Sequence, residues 1–146
     1  MATKLTKNFT LEELTSSVTA SNWKIDNTPN AIEEEKLRRL AVEVLQPIRD
    51  KYKHPITITS GFRNQRVNQM VGGSKTSQHM KGEAADIQCT ATSKAYLFNL
   101  IRKMIENKEI EVGQLIWEYG SKKEPNWIHV SLPYTKKNQI LYFYSK

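Results

Sequence analysis

The sequence predicts an α+β fold: a small, mainly antiparallel sheet packed with helices. Three observations lead there. Apolar residues recur at helical spacing over 33–51 and again over 93–107. Short β-branched or aromatic runs of strand length lie between and after them. The connections are short, and no repeat, low-complexity run or Pro/Gly-rich linker divides the 146 residues. That length is ordinary for one domain with one core, so 1–146 is expected to fold as a single unit.

Each element has a local reason. In "NFTLEEL", Thr10 stands at a helix cap, Glu13 at the capping-box position, and Phe9 with Leu14 matches a hydrophobic staple. Such a cap is worth ~1 kcal/mol, enough to place the helix start. "SNWKIDNTPN" (21–30) reads as a loop rich in Asn, Asp and Pro. From Glu33 to Lys51, Leu37, Leu40, Ala41, Val44, Leu45 and Ile48 form one helix face. Pro47 interrupts it and lacks a backbone donor, which predicts a kink or a tightened last turn. "ITITS" (56–60) reads as a strand, and "QRVNQMV" as a short helix ended by Gly72-Gly73. "AADIQC" is a second strand, and "SKAYLFNLIRKMIEN" a helix through Tyr96, Leu100, Ile101, Met104 and Ile105. "QLIWEY", "WIHVSL" and "ILYFYS" supply three further strands.

A formal charge of +7 and a pI near 9.5 favour polyanions, whether nucleic acid or an anionic cell wall. No nucleic-acid motif accompanies the charge, and the lysines are spread along the chain, so no specific nucleic-acid partner is expected. Cys89 is the only cysteine, which excludes an intrachain disulfide. No apolar stretch approaches the ~20 residues of a membrane span, and the N-terminus lacks the apolar core of a secretory signal. The expectation is a soluble monomer made in the cytoplasm.

The chemistry concentrates in "SQHMKGEAADI" (77–87), which holds His79, Glu83 and Asp86. On a helix the three would share a face, but Gly82 and the missing apolar period make a loop running into a strand the better reading. One histidine and one carboxylate are common zinc ligands, and catalytic zinc takes a third. His54, before a proline at a polar turn, reads as a surface residue. His129 lies in "NWIHVSL", where Trp127, His129 and Ser131 share one face and Ile128, Val130 and Leu132 the other. Composition alone leaves His129 open between a ligand and a hydrogen-bonded strand histidine.

Together, "SGFRN" (60–64), "SQHMKGEAADI" and "WIHVSL" (127–132) resemble the zinc peptidases of the D-alanyl-D-alanine carboxypeptidase type. That group includes phage endolysins cutting L-alanyl-D-glutamate bonds, and its fold is shared by the hedgehog signalling domain. "NFTLEEL", "IDNTP", "LQPIRD" and "VGGSKTSQH" are similar to its phage and bacterial branch, so the resemblance covers nearly the whole chain.

The resemblance implies zinc held by His79, Asp86 and His129, and a peptidoglycan peptide as substrate. In some relatives the general base lies three residues before the last histidine, where this chain has Asn126. Others carry a glutamate on the preceding strand, and "LIWEYG" matches them with Glu118. Glu124, in a charged turn, is the weaker candidate, and Glu83 is expected to be a loop or rim carboxylate. Arg63 resembles an arginine placed beside the metal, where it can hold a substrate carboxylate or stabilise an oxyanion. Ser77 is expected to support the ligands or the substrate. Trp127, with Trp117 and Tyr119, either lines the cleft or packs in the core. The implied protein is a wall-degrading metallopeptidase, phage-encoded or from a prophage, reaching the wall through a holin or a virion.

Overall fold

The computed structural model describes residues 3–134 and 136–144. Helix α1 (Leu11–Thr15) starts where the capping box predicts: the Thr10 hydroxyl accepts from the Glu13 N–H, and the Glu13 carboxylate accepts from the Thr10 N–H. Phe9 and Leu14 are both buried. The expected 21–30 loop begins later than predicted, because α2 (Val18–Asn22) precedes it, capped by the Ser17 hydroxyl. Five residues are too few to display a helical period. Within that loop Asn27 is buried; its Nδ2 donates to the carbonyls of Thr15 and Phe62, and its Oδ1 accepts from the Asn64 N–H. The loop is therefore latched to the segment carrying Arg63.

The tightened turn expected at Pro47 does not form. α3 (Ala31–Leu40) and α4 (Gln46–Tyr52) are joined by a widened π turn, Ala41–Leu45, rather than by a tightened one. The Gln46 N–H donates to the Ala41 carbonyl, five residues back. Proline has no N–H to give, and its ring crowds the carbonyl one turn earlier. Widening the turn before it relieves both problems without ending the helix.

The five strands are β1 (Thr57–Ser60), β2 (Ala84–Gln88), β3 (Gln114–Glu118), β4 (Trp127–Ser131) and β5 (Gln139–Phe143). Their order is β1-β2-β4-β3-β5; every pair is antiparallel except β3–β5, which is parallel. Ser145 of the expected last strand lies outside the described residues. α5 (Gln65–Met70) follows β1, and α6 (Lys94–Glu106) follows β2. The Asn64 and Ser93 side chains cap these two helices.

Strand alternation gives the sheet two chemically different faces. Ala85, Ile87, Leu115, Trp117, Ile128 and Val130 pack into the core with Leu37, Leu45, Ile48, Phe98 and Ile101 of the helices. Asp86, Glu118, Trp127 and His129 alternate with them and therefore take the opposite face. Register brings these four together: Asp86 pairs with His129 across β2–β4, and Glu118 pairs with Trp127 across β3–β4. Among the described residues, no helix is long and apolar enough to cross a membrane.

Candidate functional site

A single 3-10 turn, Gln78–Lys81, introduces the site. The Ser77 hydroxyl caps it by accepting from the His79 N–H at 3.2 Å. Gly82 ends it at φ +74, and a Cβ there would lie 2.6 Å from the Glu33 carbonyl oxygen. Glycine is thus required both for the left-handed backbone and for the close approach of α3. Two residues later the chain enters β2, which places Asp86 beside His79.

His79, Asp86 and His129 are all buried, and each offers one ligand atom within 4.8 Å of the others. His79 Nε2 lies 3.4 Å, and His129 Nδ1 3.1 Å, from Asp86 Oδ1. The outward ring nitrogens are occupied elsewhere. His79 Nδ1 is 2.8 Å from the Gly61 carbonyl oxygen, so it carries the proton and donates. His129 Nε2 is 3.2 Å from Gln78 Oε1. Two imidazoles and a carboxylate, with the spare nitrogens tied off, are a donor set suited to zinc.

The charges follow from burial. Burial alone would raise the Asp86 carboxyl, but the His79 and His129 imidazoles hold it well below the usual carboxylate range. At Glu118 removal from water is the largest influence and pushes the carboxyl above its ordinary value, with the Asp86 charge adding to it. Trp127 counters this in part, because its indole N–H donates to Glu118 Oε2 at 2.5 Å. Burial lowers the Arg63 guanidinium, while Asp86 and Glu118 favour its charge. Arg63 Nη2 donates to the Ser77 hydroxyl at 3.3 Å, whereas Nε is buried with no hydrogen-bond partner among the described residues.

The other residues singled out by sequence separate clearly. Glu83 lies in the loop ahead of β2, as one half of the expectation had it, but it is no rim carboxylate: it is buried and paired with Lys36 Nζ at 2.7 Å. Glu124 pairs with Lys94 at 2.9 Å, away from the cluster. His54 is exposed and stacks edge-on against Tyr52. Asn126 is exposed in the β3–β4 connection. Trp117 belongs to the core, against Phe98. Tyr119 and Trp127 line the groove, with rings edge to face 5.4 Å apart. Gln78 and the Gly61 carbonyl escaped sequence reasoning. Gln78 sits next to His79, yet nothing local to the motif tells which histidine its side chain reaches.

The groove has a part of about 710 Å³ over His79, Glu118 and His129, and a second of about 360 Å³ toward Ser17 and Thr59. Both parts are lined by Arg63, Asp86 and Trp127, so the groove extends to either side of the cluster. No curated protein matches the chain. The family model described as Peptidase M15 matches residues 7–131, a span running from just before the α1 cap to the last residue of β4 and including all three clustered side chains. With that match over most of its length, the chain belongs to the Peptidase M15 family, a family of zinc-dependent metallopeptidases.

Proposed function

We propose that this chain is a zinc-dependent peptidase that hydrolyses peptide bonds in peptidoglycan, either in stem peptides or in their crosslinks. The observation that carries the reading is the buried His79–Asp86–His129 cluster opening on the same groove as Glu118 and Arg63. His79, Asp86 and His129 would hold the metal. When bound, zinc polarises a scissile carbonyl and lowers the pKa of water toward ~7.

Glu118 is the general base. Its carboxylate accepts a proton from the attacking water as the new O–C bond forms, and returns it to the amine nitrogen as the C–N bond breaks. Trp127 holds Oε2, which leaves Oε1 to move the proton, and its ring also forms groove wall for substrate. Arg63 lines the groove, where its guanidinium would stabilise the developing oxyanion or hold a substrate carboxylate. Ser77 holds Arg63 from behind while capping the turn that carries His79. The charge of +7 favours adsorption to anionic wall polymers. Such an enzyme acts at the wall, as an endolysin or as a D-Ala-D-Ala carboxypeptidase, with access supplied by a holin or a virion in the phage-encoded case.

The test is to measure bound metal in the purified chain, incubate it with peptidoglycan, and identify released amines and fragments. The expected result is a zinc-loaded protein that frees new amino groups, with Glu118→Gln inactive but still zinc-loaded. A zinc-loaded chain with no cleavage, and no difference between wild type and Glu118→Gln, would sink the proposal.

A further inference from the structure

The two histidines of the cluster are oriented by different means. His79 donates Nδ1–H to a main-chain oxygen, the Gly61 carbonyl. Among the described residues the His129 ring has no such main-chain tie; its outward Nε2 meets the side chain of Gln78. A backbone carbonyl is always an acceptor. A carboxamide presents an oxygen on one side and an NH2 on the other, so its orientation decides what the ring beside it does.

We infer that Gln78 is a positioning residue that makes His129 Nδ1 the metal-binding atom. With Oε1 toward the ring, Gln78 accepts the Nε2–H proton, and the Nδ1 lone pair is left facing Asp86 and His79 Nε2. With the amide reversed, its NH2 would donate to Nε2, the proton would move to Nδ1, and that nitrogen would donate to Asp86 instead of binding metal. The tie therefore selects the ring nitrogen as well as the ring plane.

The backbone around Gln78 is built to hold it there. Its carbonyl accepts from the N–H groups of Gly82 and Glu83, and the Ser77 hydroxyl fixes the next residue. A 3-10 turn advances about 120° per residue, so adjacent side chains diverge. His79 is sent toward Asp86, and Gln78 across to β4. One turn thereby sets both histidines, although the second lies 51 residues away from Gln78. The two rings meet edge to face, with centroids 5.3 Å apart.

The inference rests on the proposed metal site, and the experiment separates the two. Zinc affinity of wild type, Gln78→Leu and Gln78→Glu is measured by chelator competition, and the His129 Nε2–H proton is followed by NMR in the zinc-loaded proteins. Gln78→Leu keeps the bulk and removes the acceptor, whereas Gln78→Glu keeps an acceptor oxygen. The expected result is zinc affinity about 10–100-fold weaker in Gln78→Leu, with a rapidly exchanging Nε2–H. In Gln78→Glu affinity and a protected Nε2–H are retained. Unchanged affinity and a protected Nε2–H in Gln78→Leu would overturn the inference, as would equal losses in both variants. Wild type that binds no zinc would overturn the proposed function itself.

Discussion

Trp127 donates its indole N–H to Glu118 Oε2, and the two residues face each other as a paired position of β3 and β4. The bond joins the groove wall to the carboxylate with the strongest functional claim. Glu118→Gln is expected to keep zinc and to lose roughly 10²–10⁴-fold in kcat/KM on a peptidoglycan peptide. Trp127→Phe keeps the ring but removes the donor. Its expected loss is roughly 10–100-fold, mainly in kcat, because a charge-assisted bond to the proposed base disappears. A loss confined to KM would show that Trp127 acts on the substrate alone.

The raised Glu118 pKa makes a stability prediction of definite sign. A carboxyl whose folded pKa lies above its unfolded value opposes folding once it is ionised. That cost is absent below the unfolded pKa, grows as pH rises to the folded pKa, and is constant beyond. Zinc-free Glu118→Gln is therefore expected to melt above zinc-free wild type at neutral pH, with the difference closing as pH falls through the glutamate range. Calorimetry over that range measures it; a wild type more stable than the variant at neutral pH would contradict the sign.

Gly61 couples packing to the cluster. A Cβ at this position would lie 2.3 Å from the Leu14 carbonyl oxygen, which already accepts from the Phe62 N–H at 2.7 Å. Gly61→Ala must push the backbone aside, at a cost of about 1–3 kcal/mol by urea denaturation. The same shift moves the carbonyl that holds His79 Nδ1, so zinc affinity is expected to fall as well. Lost stability with unchanged affinity would uncouple the two.

His79→Ala removes a proposed ligand rather than a support. Its zinc affinity is expected to fall by more than the roughly 10–100-fold that losing an outer partner costs, as read by chelator competition. Circular dichroism should show the fold retained in the metal-free state, because the helix–sheet core lies on the other face of the sheet.

Lys36 and Glu83 tie α3 to the start of β2, and the Glu83 carbonyl also accepts from the Leu132 N–H beyond β4. The side chain of Glu83 is 5% exposed and that of Lys36 28%. Lys36→Met leaves a buried carboxylate unpaired, with an expected loss of about 1–3 kcal/mol. Adding Glu83→Gln should recover part of it, because the stranded charge is gone. Urea denaturation of the single and double variants tests this.

What the sequence by itself determined is what short-range chemistry encodes. Thr10 and Glu13 set the start of α1, alternation marked β1 and β4, and helical spacing marked α6. The His79–Asp86 relation was legible because one turn and one glycine lie between the two residues. Features lacking a local pattern were not legible: the five-residue α2, the π turn ahead of Pro47, and the choice of Lys36 as partner for Glu83. Resemblance to relatives pointed to His129 and Glu118, but their meeting depends on the strand order β2-β4-β3, a long-range pairing. Asp86 and His129 are 43 residues apart, and only the register of the sheet brings them to 3.1 Å. The tertiary structure alone decided that Trp127 serves Glu118 and that Gln78 reaches His129, because a side chain's hydrogen-bond partner is set by the packed neighbours around it, not by the residues beside it in the chain.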